Sequence, residues 1–361
     1  MKALREFVIK STDLKLHESI PYYEPYKLDR RSENRPTRFE AEFVAQDKIR
    51  YKYSVVFGRT EIEREELVFY PKRQEARLFL RQKGEEMKFG DYLKGRKQSM
   101  AHELLANNLF LSKAANSNHE QMKTVYLYFL HNLHILTDEF LASPLSSHPT
   151  TGLLLSGGKP GRGGFREKVE KFLLAADTGI SSLELKKRIS GTEPLEKGEM
   201  THKPVFSHTL YDGEDITGTV RFDLADESEG TKKIYDLAGG IIRVLDSGAA
   251  YIIDEIDNSL HPLISAFIIR LFNDPARNPR NAQFVAATHD TTLLNPDLLR
   301  RDQIWFVEKD GYGATELYSL VEFDENEVRE DLLFDKWYLA GRFGALPLIN
   351  KKIFNLFREE D

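Results

Sequence analysis

Apolar and polar residues alternate along the first part of the chain. Four short runs between Phe39 and Leu80 have this pattern, and turn residues such as Gly58 and Pro71 separate them: FEAEFVAQ, YKYSVVFG, EELVFYP and ARLFLR. A period of two is typical of strands with one buried face, and short connections favour antiparallel neighbours. We predict an antiparallel β meander within a β-rich part of the protein that covers residues 1–99.

From about Met100 the apolar residues recur every three or four positions. AHELLANNLFLSKA and TVYLYFLHNLHILTDEFL show this helical spacing, and so does FREKVEKFLLAADTGI further on. Between them, residues 143–165 are rich in Ser, Pro and Gly, which favours a loop. We predict a helical arm or insertion over residues 100–195, with a domain seam in this loop.

Strand and helix patterns alternate in residues 196–361. Two paired strands, KPVFSHTLYD and TGTVRFDL, precede the helix KKIYDLAGGIIRVLDSG, the strand AAYIID, the helix HPLISAFIIRLF and the strand AQFVAATHD. QIWFVEKD and TELYSLVEF follow as further strands. This order is typical of a largely parallel sheet whose functional loops follow the carboxyl ends of its strands. The predicted fold class is α/β, a mixed sheet with flanking helices.

The composition is that of a globular protein, with 41% apolar and 30% charged residues. The absence of cysteine excludes disulfides, thiolate metal sites and a cysteine nucleophile. No apolar run reaches the ~20 residues of a membrane span, and the opening MKALREFVIK lacks the apolar block of a signal peptide. We therefore expect a cytoplasmic protein without a membrane partner. A net charge of −6 provides no general basic field, so DNA is a conceivable partner without positive support.

Two adjacent carboxylates stand out in AYIIDEIDNSLHP, residues 250–262. The apolar run before them predicts a buried parallel strand, which places Asp254 and Glu255 at its carboxyl end. An aspartate there can hold a hydrated Mg²⁺ beside nucleotide phosphates, and the following glutamate can orient an attacking water. The same letters also fit a plain strand end followed by a helix that residues 257–259 cap.

Two further segments decide between these alternatives. ESEGTKK, residues 227–233, places small and hydroxyl residues at the start of a helix, where free N–H groups can bind an anion. FVAATHD delivers His289 to the same edge of the sheet, within possible reach of a terminal phosphate. Alone, the first is also compatible with an ordinary helix cap and the second with a structural histidine.

Together and in this order, the three segments resemble the ABC-type branch of the P-loop ATPases. They are similar to the SMC/RecF-like and OLD-like bacterial ATPases, often described as AAA-family, ATP-binding or abortive-infection proteins. The counterparts of ESEGT, YIIDEID, NSLHP and THD are the signature motif, Walker B, the D-loop and the switch histidine. The resemblance covers the chain from about Thr201 to Asp310 and implies an ABC-ATPase-like P-loop NTPase core. His261 stands where transporter-type relatives carry aspartate, so it receives no catalytic role.

The resemblance also implies ATP and Mg²⁺ as cofactors and a role for each matching residue. Asp254 holds Mg²⁺ through water, Glu255 positions the attacking water, and His289 contacts the γ-phosphate. Residues of the signature segment reach across a homodimer interface, made by the signature and Walker B face, to the nucleotide of the partner. These residues are Ser228, Glu229, Gly230 and Thr231.

The phosphate-binding motif GxxxxGK[ST] does not occur in the 361 residues. TGLLLSGGKPGRGG contains Gly158 and Lys159, but residue 153 is leucine and Pro160 follows the lysine. In the family, the helix after this motif continues like MKALREFVI, so we expect either an N-terminal truncation or a natural variant. We expect such a chain to bind ATP weakly or not at all on its own.

The expected function is that of a motor or switch in bacterial phage defence or DNA maintenance, with a separate nuclease or other effector as partner. One alternative is a degenerate ATPase-fold module whose helical arm binds a protein. Another is a metal-dependent hydrolase that uses Asp254, Glu255 and His289 on a phosphodiester. Two weaker features favour structural explanations: the His131 and His134 pair lacks a third metal ligand, and KGRKQ suits a solvated helix start.

Overall fold

The computed structural model describes most of the chain, and its contacts divide the chain into two compact units. The first unit comprises Met1–Asp254 and Phe272–Ala286, and the second comprises Glu255–Leu271 and the described residues from Ala287 onward. The described residues are 1–136, 148–156, 164–188, 201–324 and 333–347. The predicted division at residues 99 and 195 stays a prediction.

The first unit begins with helix α1 (Lys2–Lys10) and a five-stranded sheet. All neighbouring strands are antiparallel and follow one another in chain order, which confirms the predicted meander. The strands are β1 (Thr37–Val44), β2 (Arg50–Phe57), β3 (Ile62–Phe69), β4 (Ala76–Gln82) and β5 (Lys88–Phe89).

Aromatic side chains pack the inner face of this sheet against α1 and the helices that follow the sheet. The ring of Phe7 lies 5.0 Å from that of Phe57, and the ring of Phe79 lies 4.9 Å from that of Phe110, both edge to face. These helices are α2 (Gln98–His102), α3 (Phe110–Asn116) and α4 (Glu120–Leu127), and a π-helical turn (Tyr128–Asn132) continues α4. This aromatic core is the largest in the described residues.

A short parallel sheet positions the candidate site. Its strands are β6 (Leu133–Leu136), β10 (Ala250–Ile253) and β11 (Gln283–Ala286), in the order β11, β10, β6. The sequence predicted helix for LHIL, and this prediction was wrong because these residues form β6. A four-residue apolar run suits a buried parallel strand as well as a helix, so periodicity alone could not separate the two.

The predicted loop over residues 143–165 was wrong for its middle part. Helix α5 (Pro149–Leu155) lies there, with proline at its first position and Thr150 and Thr151 fully buried. The Thr150 hydroxyl donates to the carbonyl oxygen of Tyr235, and such buried contacts hold the helix in place. The glycine-rich residues 157–163 lie outside the described part of the chain.

A second antiparallel sheet, in the order β7, β8, β9, follows helix α6 (Phe165–Ala175). Its strands are β7 (Ile180–Arg188), β8 (Thr201–Asp212) and β9 (Asp215–Asp223). The sequence predicted the β8–β9 pair and not β7. The helix after them, α7 (Glu229–Ser247), is confirmed. Gly240 lets it approach the parallel sheet, because a Cβ there would lie 2.3 Å from the Tyr251 hydroxyl.

The second unit contains helix α8 (Pro262–Asn273), except for its last two residues, and an antiparallel hairpin of β12 (Trp305–Lys309) and β13 (Thr315–Ser319). Helix α9 (Phe334–Leu339) follows. Rings of Phe306, Tyr338 and Phe343 stack in its core. Among the helices of the described residues, none combines the length and apolar character needed to cross a membrane.

Candidate functional site

Asp254 lies directly after β10, the central strand of the parallel sheet. β10 and β11 run parallel with Ile253 opposite Ala286, so both strands end at the same level. The side chain of Asp254 is exposed and has no hydrogen-bond or ion-pair partner among the described residues. Its carboxylate oxygens are therefore available to a ligand.

Glu255 follows in the second unit and has an unusual backbone. Its φ is +50°, in the left-handed region that side chains other than glycine rarely adopt. The Glu255 carbonyl oxygen accepts the N–H of Asn258 at 3.1 Å, which closes a turn. The side chain is exposed and unpaired among the described residues. Non-glycine residues in this conformation are concentrated at functional sites.

Asp257 ties this turn to the segment after β11. Its Oδ1 accepts the backbone N–H of His289 at 3.3 Å, and the N–H of Ile256 donates to the carbonyl of Ala287 at 3.1 Å. Burial of Asp257 would raise the pKa of its carboxyl group, but hydrogen bonds from the Thr288 side chain and the His289 backbone outweigh burial and lower that pKa. The turn after β10 and the THD segment thus form one connected piece within the second unit.

The capping alternative does not describe this turn. His261 lies at the start of α8, where its Nδ1 accepts the N–H of Leu263 at 3.2 Å. Asp257 instead binds the THD segment. His261, which has no predicted catalytic role, therefore provides the side-chain acceptor at the start of α8.

His289 presents an exposed side chain on a fixed backbone. Its N–H is held by Asp257, and the next residue, Asp290, accepts the N–H of Thr292 at 2.9 Å and its hydroxyl at 2.6 Å. The second oxygen of Asp290 is buried without a hydrogen-bond partner among the described residues. The imidazole of His289 is therefore presented to solvent by a well-anchored loop.

The predicted signature segment begins α7 in the first unit. The Ser228 hydroxyl accepts the N–H of Thr231 at 3.1 Å and lies 2.9 Å from the Thr231 hydroxyl. Ser228 and Glu229 are exposed, Gly230 is half-buried and Thr231 is buried. Ser228 thus combines an N-cap with an accessible position at the positive end of a 19-residue helix.

His208 and Glu227 form a pair that the sequence analysis did not identify. His208 Nε2 lies 2.7 Å from a carboxylate oxygen of Glu227, the residue directly before Ser228. The two side chains are only 17% and 5% exposed. The pairing depends on the β8–β9 hairpin, which brings together residues 19 positions apart, so no local sequence signal could reveal it.

The structure does not give His131 and His134 the helical spacing assumed in the sequence. His131 lies in the π-helical turn and His134 in β6, opposite Tyr251. Burial, reinforced by the positive charge of Arg243, lowers the pKa of His134 to about 4. Over the described ranges, no cluster of three or more acidic or histidine side chains could enclose a metal ion.

The predicted site residues fall into two groups. Asp254 and the signature segment belong to the first unit, whereas Glu255 and His289 belong to the second. Within the second unit, Glu255 and His289 are joined through Asp257 and the Ile256–Ala287 hydrogen bond.

Comparisons with known proteins place the chain in a family. A family model described as "AAA domain, putative AbiEii toxin, Type IV TA system" matches residues 21–295. The comparison with curated proteins found no match. Because the matched residues are well over half of the chain, this match is sufficient to assign the chain to that family.

Two similar solved structures have low sequence identity to this chain. One is described as "Structural biochemistry of ATP-driven dimerization and DNA stimulated activation of SMC ATPases". It is 14% identical to this protein, with a TM-score of 0.33. The match covers 55% of this chain and 99% of the chain in the solved structure. The other, "Crystal structure of the SmcHead bound to the C-winged helix domain of ScpA", is 13% identical, with a TM-score of 0.33 and 76% coverage of each. By the family model, the chain belongs to the family of AAA domains described with the putative AbiEii toxin, which confirms the predicted AAA-family P-loop ATPase.

Proposed function

We propose that this protein binds and hydrolyses ATP as a switch or motor of the SMC-like type. The observation that supports this most is the pair of adjacent carboxylates after β10, both exposed and both without a protein partner in the described residues. Unpaired charges at the carboxyl end of a parallel sheet are available to a ligand and contribute no pairing energy to the fold. Family membership supports a nucleotide as that ligand.

Asp254 fits a magnesium ion of the kind that nucleotide sites use. Mg²⁺ prefers oxygen ligands, keeps several waters and is usually bound by one or two carboxylates together with substrate phosphates. A single accessible carboxylate without a surrounding cluster of ligands in the described residues suits this arrangement. When bound, the metal would neutralise charge that develops on the phosphates.

Glu255 is proposed to orient the attacking water and accept its proton, and His289 to contact the γ-phosphate. Both side chains are exposed, the backbone N–H of His289 is held by Asp257, and the Glu255 carbonyl closes a turn with the N–H of Asn258. A base fixed by its backbone loses little freedom when it meets a substrate, which is the basis of catalysis by positioning. Thr288 acts indirectly, since its side chain hydrogen-bonds to Asp257 and lowers the pKa of that carboxyl group.

The signature segment is proposed to act on ATP held by a second copy of the chain. Ser228 and Glu229 are the exposed members, and free N–H groups at the start of α7 favour an anion. Thr231 is buried and bonded to Ser228, so we assign it support of the cap rather than direct contact. ATP would then close a homodimer, and hydrolysis would reopen it.

The biological setting is proposed on the family description. A putative AbiEii toxin suggests a role in bacterial phage defence, with DNA maintenance as the related alternative. We propose that the protein acts in the cytoplasm with a separate nuclease or other effector. DNA is a further candidate ligand of the dimer.

A second candidate function rests on the missing GK[ST] motif. Without its lysine and loop amides, the 361 residues lack the usual sequence of a phosphate cradle. The protein would then be a non-hydrolysing module that binds a protein partner through residues 100–195. The metal-dependent hydrolase is a third alternative, which predicts phosphodiesterase activity with metal and without nucleotide.

Titration calorimetry with ATP distinguishes these functions. We expect the wild-type protein to bind ATP more tightly with Mg²⁺ than with EDTA, and Asp254→Asn to remove this difference while ATP binding in EDTA is unchanged. Asp297→Asn makes the same chemical change at an exposed position in another turn, so it serves as the matched control and should keep the wild-type difference. Absence of ATP binding by a folded sample would contradict the ATPase and favour the binding module.

A further inference from the structure

Glu227 differs from its neighbours at the start of α7. Ser228 and Glu229 are exposed, whereas the carboxylate of Glu227 is buried against β8. Removing a carboxylate from water is costly unless the charge is paired and hydrogen-bonded. The described contact that meets this need is the 2.7 Å bond to His208.

His208 is itself held on two sides. Its ring lies 4.9 Å from the ring of Phe222 in β9, and it is opposite Val220 in the strand register. On another side, a Cβ added to Gly179 would come within 3.5 Å of the His208 Nδ1 atom. The imidazole thus packs between Phe222 and Gly179 while it binds Glu227.

The chain between β9 and α7 is fixed at several successive points. Asp223 and Asp226 form reciprocal side-chain and backbone bonds around a short 3₁₀ turn, including the Asp223 N–H to Asp226 Oδ2 bond of 3.2 Å. Glu227 is next, with its N–H bonded to the carbonyl of Leu224 at 3.2 Å. Ser228 then caps the helix. The His208–Glu227 bond joins this segment to the interior of the β7–β8–β9 sheet.

We propose that His208 and Glu227 are positioning residues that set the orientation of Ser228 and Glu229 for the nucleotide of a second copy. Neither side chain touches ATP in this account. The proposal rests on the proposed ATP-dependent homodimer and adds the residues that prepare one of its surfaces. A hydrogen bond between two ordered groups fixes direction, which packing alone does not achieve.

Three variants separate positioning from simple stabilisation. His208→Phe keeps an aromatic ring beside Phe222 but removes the donor to Glu227. His208→Gln keeps an N–H donor, and Glu227→Gln keeps an acceptor without the charge. If the hydrogen bond orients the segment, His208→Gln should restore what His208→Phe loses.

Dimer formation with Mg-ATP, measured by sedimentation velocity in the Glu255→Gln background, tests the proposal. We expect His208→Phe to weaken the dimer about tenfold, since it leaves the buried Glu227 without its described donor and the segment without the bond that orients it. His208→Gln and Glu227→Gln should stay within about threefold of the parent, and ATP affinity of the monomer should be unchanged.

The other outcomes overturn the proposal in distinguishable ways. An unchanged dimer in His208→Phe would contradict the positioning role and leave the ATP-dependent dimer intact. If His208→Phe and His208→Gln weaken the dimer equally and both unfold at lower urea concentrations than the parent, the His208–Glu227 pair is purely structural. A Glu255→Gln parent that binds ATP without dimerising would remove the proposed dimer, and the positioning role with it.

Discussion

Glu65 in the N-terminal sheet and Glu255 after β10 are both glutamates, and their surroundings differ completely. Glu65 is fully buried on β3, where it accepts the N–H groups of Phe110 and Leu111 at 2.7 and 3.0 Å and the Tyr53 hydroxyl at 3.0 Å. Glu255 is exposed and unpaired among the described residues, and its backbone has a φ in the left-handed region. One carboxylate is fully used by the fold, and the other is available to a ligand.

The electrostatics of Glu65 support a structural role. Burial raises its pKa, although the nearby Arg81 and the hydrogen-bond donors oppose that rise. Its oxygens serve the first N–H groups of α3, for which Leu109 offers no side-chain cap. The comparison teaches that charge in this protein has to be interpreted from its partners, since sequence alone gives both residues the same chemistry.

The largest expected effect is the loss of Glu65. Glu65→Leu removes the nearby negative charge from Arg81 and the acceptor from two helix N–H groups, so we expect a loss of about 3–5 kcal/mol in the free energy of unfolding. Urea denaturation followed by circular dichroism measures this. Glu61→Leu, which removes an exposed ion pair with Lys83, is the control and should cost less than about 1 kcal/mol. Similar losses of unfolding free energy in both variants would contradict a special structural role for Glu65.

A second buried group should make stability depend on pH. The pKa of His134 is lowered to about 4 in the folded protein, so the fold resists protonation that the unfolded chain accepts. Its contribution is present above the unfolded pKa near 6.5 and is lost as pH falls towards 4. Between pH 7 and pH 5 we expect a loss of about 2 kcal/mol from this residue.

His134→Gln isolates that contribution, because glutamine does not titrate. Urea denaturation of both proteins at pH 7 and pH 5 should show a smaller pH effect in the variant. Parallel losses in the two proteins would mean that other groups cause the acid sensitivity.

The cap of α7 should give an intermediate effect. Ser228→Ala removes the acceptor for the Thr231 N–H and should cost about 1 kcal/mol, while Ser228→Asp should restore most of it. The same Ser228→Asp variant should weaken the ATP-dependent dimer, since a carboxylate repels phosphate. Thermal unfolding and sedimentation in parallel separate the two roles. Normal dimerisation of Ser228→Asp would argue against a phosphate contact.

The smallest stability effects should come from removing either charge of the candidate site. Asp254→Asn and Glu255→Gln remove charges that have no described partner, so we expect changes within about 0.5 kcal/mol. Glu255→Gly should raise the free energy of unfolding by about 1 kcal/mol, because glycine adopts a left-handed backbone without strain. A large loss in Glu255→Gln would reveal a structural role for this carboxylate.

The sequence revealed elements wherever periodicity was long or turn residues were clear. The meander and α7 were predicted on this basis and confirmed, and β10 and β11 were predicted from short apolar runs and confirmed. β6 was missed because a short apolar run continued a helical pattern. The roles of Glu65 and His208 were not predictable, because their partners are distant in sequence. Phe110 lies 45 residues after Glu65, and Glu227 lies 19 residues after His208. The sequence suggested Asp257 as a possible helix cap. Its hydrogen bonds with Thr288 and His289 could be found only in the folded structure.

We propose that the exposed carboxylate of Glu255 serves the chemistry of ATP and not the fold. The most direct test is the rate of ATP hydrolysis by Glu255→Gln and the wild type, in samples whose free energy of unfolding has been measured. We expect unchanged stability and ATP binding, with hydrolysis slower by about 10² or more because the proposed general base is removed. Equal hydrolysis rates in two equally stable proteins would contradict it.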